Sequence, residues 1–239
     1  MKIKTLSITF FILISLVLSP LVFAKNSLAE NLIAINSAQG QALFEKSDKQ
    51  HFWQLMPYLV TQKNLIYCGV ASSVMVLNAS NIPAPLTPEL APNTLFNQNN
   101  FFTKEVLALT TPSKVGQFGM DFQTINDALT SFEGIQTEMA YASDFTQDEF
   151  RHNLAELMKM ENTYVIGFYD NELLGQGGSG HFSPIAAYNR EQDRFLILDT
   201  ARYNNPPFWV TTQMLYKSMT IGLADLPRRA MGYLVVTVT

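Results

Sequence analysis

The sequence predicts an α+β fold in which a helix-rich lobe is followed by an antiparallel sheet lobe, with a cleft between the two. Apolar residues recur at helical spacing through much of the first half, and short β-rich runs bounded by turn residues fill the second. The 239-residue chain, 47% hydrophobic with 17 Phe, can bury one substantial core and does not demand two. A single domain in two lobes is expected, and a cleft between lobes is the natural place for a site.

The chain opens with what reads as a signal peptide over residues 1–24. Lys2 and Lys4 supply the positive end, Leu6 to Leu18 the apolar run, and Val22-Phe23-Ala24 a small-residue cleavage site before Lys25. Ser7, Thr9, Ser15 and Ser19-Pro20 interrupt the run and no stop-transfer pattern follows, so cleavage and export are expected rather than stable membrane insertion. The next strong element begins at Cys68. Val70, Val74 and Leu77 carry the stripe of an amphipathic helix that Asn78 to Asn81 ends, and Asn64 is placed to cap its start. Four prolines between Pro83 and Pro92 then break any long element and leave an ordered loop.

Phe122, Ile125, Leu129 and Phe132 repeat at helical spacing. Thr146-Gln-Asp-Glu149 is a capping box leading into Phe150, Leu154, Leu157 and Met158. The character then changes. Tyr164 to Tyr169, Phe182 to Tyr188, Arg194 to Asp199 and Gly232 to Val238 read as strands, and Asn189 to Asp193 is a connection of hairpin length.

Charge and cysteine content narrow the function classes. A net charge of −4 without a Lys/Arg block argues against a nucleic-acid partner, and one cysteine with three histidines argues against a structural metal site. An exported chain gains no intramolecular disulfide from a lone cysteine, so packing or chemistry must explain Cys68. Taken singly, such a cysteine is usually inert packing.

A thiol is a good nucleophile only when its thiolate is favoured, and a helix N-terminus supplies part of that stabilisation. A histidine must supply the rest. His152 falls on the polar side of its helix, and His51 lies in an irregular aromatic stretch beside Phe52 and Trp53. His181 differs, because it follows Gly175-Gln-Gly-Gly-Ser-Gly180 and opens a strand beside a backbone open enough to admit substrate. If Tyr188 pairs with Arg194, His181 stands opposite Ala201 and Asp199 lies about two positions away, within reach after one slip in register. An acid there would fix the imidazole tautomer. Gln62, six residues before Cys68, can donate its amide with the Cys68 backbone N–H to the oxyanion formed at an attacked carbonyl.

The motifs Thr61-Gln62 to Tyr67-Cys68-Gly69-Val-Ala, Gly180-His-Phe-Ser-Pro184 and Leu198-Asp-Thr-Ala-Arg202-Tyr-Asn-Asn-Pro206-Pro-Phe-Trp-Val210 resemble the phytochelatin synthase family in its short prokaryotic form. The resemblance runs from about His51 to the last strand and is weakest between Pro83 and Glu161. It implies a papain-like fold with glutathione as partner. Cys68, His181 and Asp199 would be the triad and Gln62 the oxyanion donor. Cys68 would release glycine from glutathione and pass the γ-glutamylcysteinyl group to water or to a second glutathione. No cofactor is implied, and a divalent heavy metal would arrive only as the thiolate of the substrate.

Departures from the family pattern shape the remaining expectations. Plant members carry a cysteine-rich C-terminal region linked to metal response, which has no counterpart in this sequence. Arg202 matches an arginine associated with the second substrate, whereas Asn204 replaces the lysine that accompanies it, so hydrolysis is expected to outweigh transpeptidation. A family arginine associated with the γ-glutamyl carboxylate corresponds to Arg229 or Arg228, and Ala230-Met231 leave that choice open. A periplasmic or secreted bacterial enzyme, monomeric or homodimeric, fits these features. The other readings are a related cysteine peptidase acting on peptides and a non-catalytic binder of glutathione or its metal thiolate.

Overall fold

The computed structural model of the protein describes residues 28–88, 91–221 and 231–239. The leader of residues 1–24 and the candidates Arg228 and Arg229 lie outside them. In chain order the elements are β1 (Ile33–Ala34), α1 (Ala38–Glu45), α2 (Gln50–Leu55), α3 (Cys68–Ala79), α4 (Lys104–Leu109), α5 (Pro112–Phe118), α6 (Phe122–Thr130) and β2 (Ile135–Tyr141). There follow α7 (Gln147–Leu157), β3 (Thr163–Asp170), β4 (Gly180–Asn189), β5 (Arg194–Ile197), β6 (Phe208–Thr211), α8 (Thr212–Thr220) and β7 (Gly232–Val238). The strands form one sheet in the order β1-β6-β5-β4-β3-β7-β2, every pairing antiparallel. The fold is α+β, as the residue patterns predict.

Every residue of β3 is buried, and so is every residue of β4 after Gly180. Successive strand side chains point to opposite faces, so the centre of the sheet is covered on both sides. α3 and α2 pack against β4, while α8 packs against β3. Helices from both halves of the chain therefore enclose the sheet. One continuous apolar cluster joins α3, α6, α7 and the central strands.

Two expectations about α3 are corrected. All twelve of its residues are buried, so it is a central helix rather than an amphipathic one. The small residues Gly69, Ala71, Ser72 and Ser73 allow this, because neighbours can approach every side. Asn64 does not cap it; Tyr67 is the N-cap residue and makes no side-chain cap bond, and the Asn64 carboxamide accepts from the Ile66 amide at 3.0 Å. His51 is likewise helical, in α2, and completely buried, bonded through Nε2 to the Met160 carbonyl at 2.9 Å.

Other local signals act as read. Thr146 and Glu149 form a reciprocal capping box at α7, and His152 is exposed on that helix. The four expected strands form, joined by the short β1 and β6 and the seven-residue β2, which the sequence patterns do not reveal. β2 pairs with β7 along its whole length, so the last strand of the chain sits inside the sheet between β3 and β2.

The proline-rich segment is tied down by Asn78 near the end of α3. Its carboxamide donates to the Phe96 carbonyl at 3.0 Å and accepts from the Phe96 amide at 2.8 Å, in a buried setting. Truncation strands two buried backbone groups, each costing roughly 1–3 kcal/mol. Asn78→Ala is expected to lower the unfolding free energy by about 2–4 kcal/mol in a urea melt. Thr146→Ala, which removes a single cap, is expected to cost about 1 kcal/mol.

Candidate active site

Cys68 stands at the first turn of α3, and His181 is the second residue of β4. The two elements pack on each other, and the Ser72 hydroxyl fixes their register by donating to the Phe182 carbonyl at 3.2 Å. A Cβ at Gly180 would lie 2.9 Å from the Phe168 ring, and that ring stacks on Phe182 at 4.2 Å. Glycine before the histidine therefore lets the aromatic pair close against the strand beside the site.

Asp199 reaches His181 by a different route from the one expected. The hairpin pairs Tyr188 with Phe195 rather than with Arg194, one residue off the expected register. An irregularity between Ile185 and Ala187 then returns the pairing to Ile185 with Ile197. No register slip brings the acid closer. β5 ends at Ile197, and the chain turns out of the sheet so that the Asp199 side chain meets the ring directly, with His181 Nε2 2.8 Å from Asp199 Oδ1. Nδ1 is left for the Cys68 thiol, which hydrogen-bonds this histidine.

Both partners are deeply buried, Asp199 completely. The carboxylate also accepts from the Ala201 amide at 2.8 Å and the Asn205 side chain at 3.0 Å. Burial pushes its pKa up, but the His181 hydrogen bond and charge, with Ala201 and Asn205, outweigh it and hold it below the usual carboxylate range. Burial likewise pushes the Cys68 thiol up. The His181 charge and hydrogen bond, with backbone bonds at Phe182 and Gly69, bring it below its ordinary value. Burial alone would lower the His181 pKa, yet the Cys68 and Asp199 interactions raise it to about 10. The arrangement favours a positively charged imidazole between two groups whose anionic forms it stabilises.

Gln62 is buried and joined to the segment after Asp199. Its backbone amide donates to the Thr200 carbonyl at 2.9 Å, and its side-chain oxygen accepts from the Thr200 hydroxyl at 3.0 Å. Gln62, Cys68 and His181 line one cavity of about 650 Å³, within the range of small-molecule sites. The Asn171 carboxamide oxygen and the Gln176 amide nitrogen are buried in the same wall without partners among the described residues. Arg202 is not brought to this cavity. It is exposed, and its neighbours Ala201, Tyr203 and Asn204 face the space instead.

The sequence reading misses Asn205, Tyr203, Asn171 and Gln176. Asn205 carries the only usable signal, an asparagine before Pro206-Pro207 that must spend its side chain on something local.

The thiolate depends on His181, so the sign of its pH dependence follows. A cysteine pKa below the ordinary value favours the Cys68 thiolate over that of a free thiol, and the thiolate is lost as pH falls through the lowered value. The raised His181 pKa means that the stabilising positive charge persists at neutral pH and is lost as pH rises through about 10. In His181→Ala the burial penalty on the thiolate is opposed only by the backbone bonds at Phe182 and Gly69. Iodoacetamide alkylation of Cys68 at neutral pH is expected to slow by about tenfold or more, with its pH profile displaced upward. An unchanged profile would contradict the pairing.

A sequence model of the phytochelatin synthase family matches residues 23–226. Glutathione gamma-glutamylcysteinyltransferase 1 of Arabidopsis thaliana is 34% identical over 191 residues, which cover 78% of this chain and 38% of that protein. Glutathione gamma-glutamylcysteinyltransferase 2 of the same plant is 30% identical over 217 residues, covering 89% of this chain and 46% of the relative. The Schizosaccharomyces pombe glutathione gamma-glutamylcysteinyltransferase is 26% identical over 203 residues, covering 82% and 47%. The chain thus spans less than half the length of these relatives. A solved fragment of Prevotella intermedia prointerpain A overlaps at a TM-score of 0.40 and 12% identity, over 75% of this chain and 67% of the fragment. By the extent of the family match and the identity to these proteins, the chain belongs to the phytochelatin synthase family.

Proposed function

We propose that this protein cleaves the Cys–Gly amide of glutathione through an acyl-enzyme, with Cys68 as nucleophile, His181 as acid and base, and Asp199 as the residue that orients the imidazole. The observation that carries this reading is the buried row of thiol, imidazole and carboxylate, with 2.8 Å between His181 Nε2 and Asp199 Oδ1, opening into a substrate-sized cavity. The relatives' names supply the substrate class, because they describe transfer of a γ-glutamylcysteinyl group from glutathione.

The step follows from the protonation states. The Cys68 thiolate adds to the carbonyl carbon and the amide oxygen takes up the negative charge. As the C–N bond breaks, the His181 imidazolium gives its proton to the departing glycine amine, leaving a γ-glutamylcysteinyl thioester and a neutral imidazole. That imidazole then takes a proton from water or from the amine of a second glutathione. Asn171 and Gln176 offer an acceptor and a donor for the polar ends of such a peptide.

Asn204 lines the cavity, so the side chain that replaces the family's lysine faces the space a second glutathione would use. A neutral carboxamide holds an anionic acceptor less well than an ammonium, which favours transfer to water. The residue pattern of 1–24 supports export before this chemistry takes place.

Brief exposure to glutathione is expected to leave a γ-glutamylcysteinyl adduct on Cys68 in a mass spectrum, with one glycine released per adduct. Cys68→Ser is expected to form none while retaining affinity for glutathione. Absence of both adduct and glycine from the wild type, with binding retained, would favour a binding protein instead. At steady state γ-glutamylcysteine is expected to exceed phytochelatin, and Asn204→Lys is expected to raise the phytochelatin share. A wild-type product mixture dominated by phytochelatin would sink the hydrolytic reading.

A further inference from the structure

Tyr169 is the cross-strand partner of His181, and nothing in the acyl-transfer chemistry above uses it. Residues directly opposite in an antiparallel pair share a face of the sheet, and these two rings meet edge to face with centroids 5.8 Å apart at 76°. β4 lies between β3 and β5, so the imidazole is reached by Tyr169 from one neighbouring strand and by Asp199 from beyond the end of the other. Tyr169 is completely buried.

Its hydroxyl is the anomaly. Oη is buried without a hydrogen-bond partner among the described residues. Ser183, two residues beyond His181 on the same face of β4 and also completely buried, stands beside it, yet no bond of ordinary length and angle closes between them. The Ser183 oxygen accepts instead from the Thr200 amide at 3.4 Å. An unanswered buried hydroxyl destabilises a fold relative to the phenylalanine that would fill the same space, so packing alone does not account for a tyrosine here.

The field around the hydroxyl does. Burial first, then the Asp199 charge and the Cys68 charge, lift the phenol pKa well above its ordinary value, so the group keeps its proton at neutral pH. With no partner to fix it, the O–H is free to turn into that field. A neutral dipole so turned favours both anions without a full hydrogen bond to either.

We propose that Tyr169 is a positioning residue of the acyl-transfer site, held there at a cost in stability because its O–H dipole favours the anionic forms of Asp199 and Cys68 around His181. This role rests on the Cys68, His181 and Asp199 reading above but not on glutathione as the substrate.

Tyr169→Phe keeps the ring and removes only the hydroxyl, so stability and reactivity are expected to part. The midpoint of thermal unfolding is expected at or above that of the wild type, because no buried hydroxyl is left unpaired. A dipole that favours the thiolate lowers the cysteine pKa, and its loss lets that pKa rise. Alkylation of Cys68 by iodoacetamide at neutral pH is therefore expected to slow by about three- to tenfold, with its pH profile displaced upward by about half a unit to one unit. For glycine release from glutathione, kcat is expected to fall about tenfold while KM stays within about threefold.

An alkylation profile superposable on that of the wild type, or displaced downward, overturns the proposal whatever happens to stability. A lower unfolding midpoint overturns it as well, since the hydroxyl would then be holding the fold. Alkylation needs no substrate. If the wild type releases no glycine but the Tyr169→Phe profile moves upward, the glutathione reading alone fails and the role of Tyr169 stands.

Discussion

The burial of α3 on every side is the constraint from which the rest of the architecture follows. A helix with no solvent face must settle each polar group it carries against protein, since an unpaired buried donor or acceptor costs more than a made hydrogen bond returns. Ser72 is answered by the Phe182 carbonyl, Ser73 by the Gly69 carbonyl, Asn78 by the Phe96 backbone, and the Ala79 carbonyl by the Tyr164 hydroxyl. Those bonds reach the strands β3 and β4 and the proline-rich loop. A central helix thus holds helical and sheet segments in one fixed relation, and Cys68 inherits that precision at its first turn.

The same burial decides the electrostatics. A thiol, an imidazole and a carboxylate removed from water would each be driven to neutrality if alone. Placed in a row they favour ionisation, because the imidazolium is attracted from both sides and each anion is hydrogen-bonded. Backbone N–H groups at the start of α3 are free to contribute because Tyr67 provides no side-chain cap. An uncapped helix start, a modest cost to stability, is here what leaves those groups available to sulfur.

The turn after Asp199 couples the acid to the segment that bears Gln62. Thr200 holds Gln62 through both its backbone carbonyl and its hydroxyl, while Asp199 and Asn205 hold the turn that brings Tyr203 to the Gln62 amide. Orientation of the imidazole and orientation of the cavity's donors are consequently set by one short stretch, residues 199 to 205. This is how a chain with few cavity-facing charges among the described residues assembles polar chemistry, using fixed dipoles in place of mobile ions.

Much of this was legible in residue types and spacing. Three histidines and one cysteine leave few possible pairs, and a glycine-rich approach singles out His181 over the buried His51 and the exposed His152. The capping box at Thr146 and the strand runs 164–169, 182–188 and 232–238 are local patterns, fixed by contacts within a few residues, and they formed as read. The all-round burial of α3 was not legible, because small residues show no stripe and only neighbours decide whether their faces are covered. β2 and β6 took strand form through partners distant in sequence. The meeting of Asp199 with His181 depended on β5 ending at Ile197 and the chain turning aside, which no count along a hairpin contains. By itself the sequence determined which groups could perform the chemistry, since that is a property of side chains. Only the tertiary structure decided which partners those groups have, because hydrogen bonds such as that between Gln62 and Tyr203 join residues 141 apart in sequence.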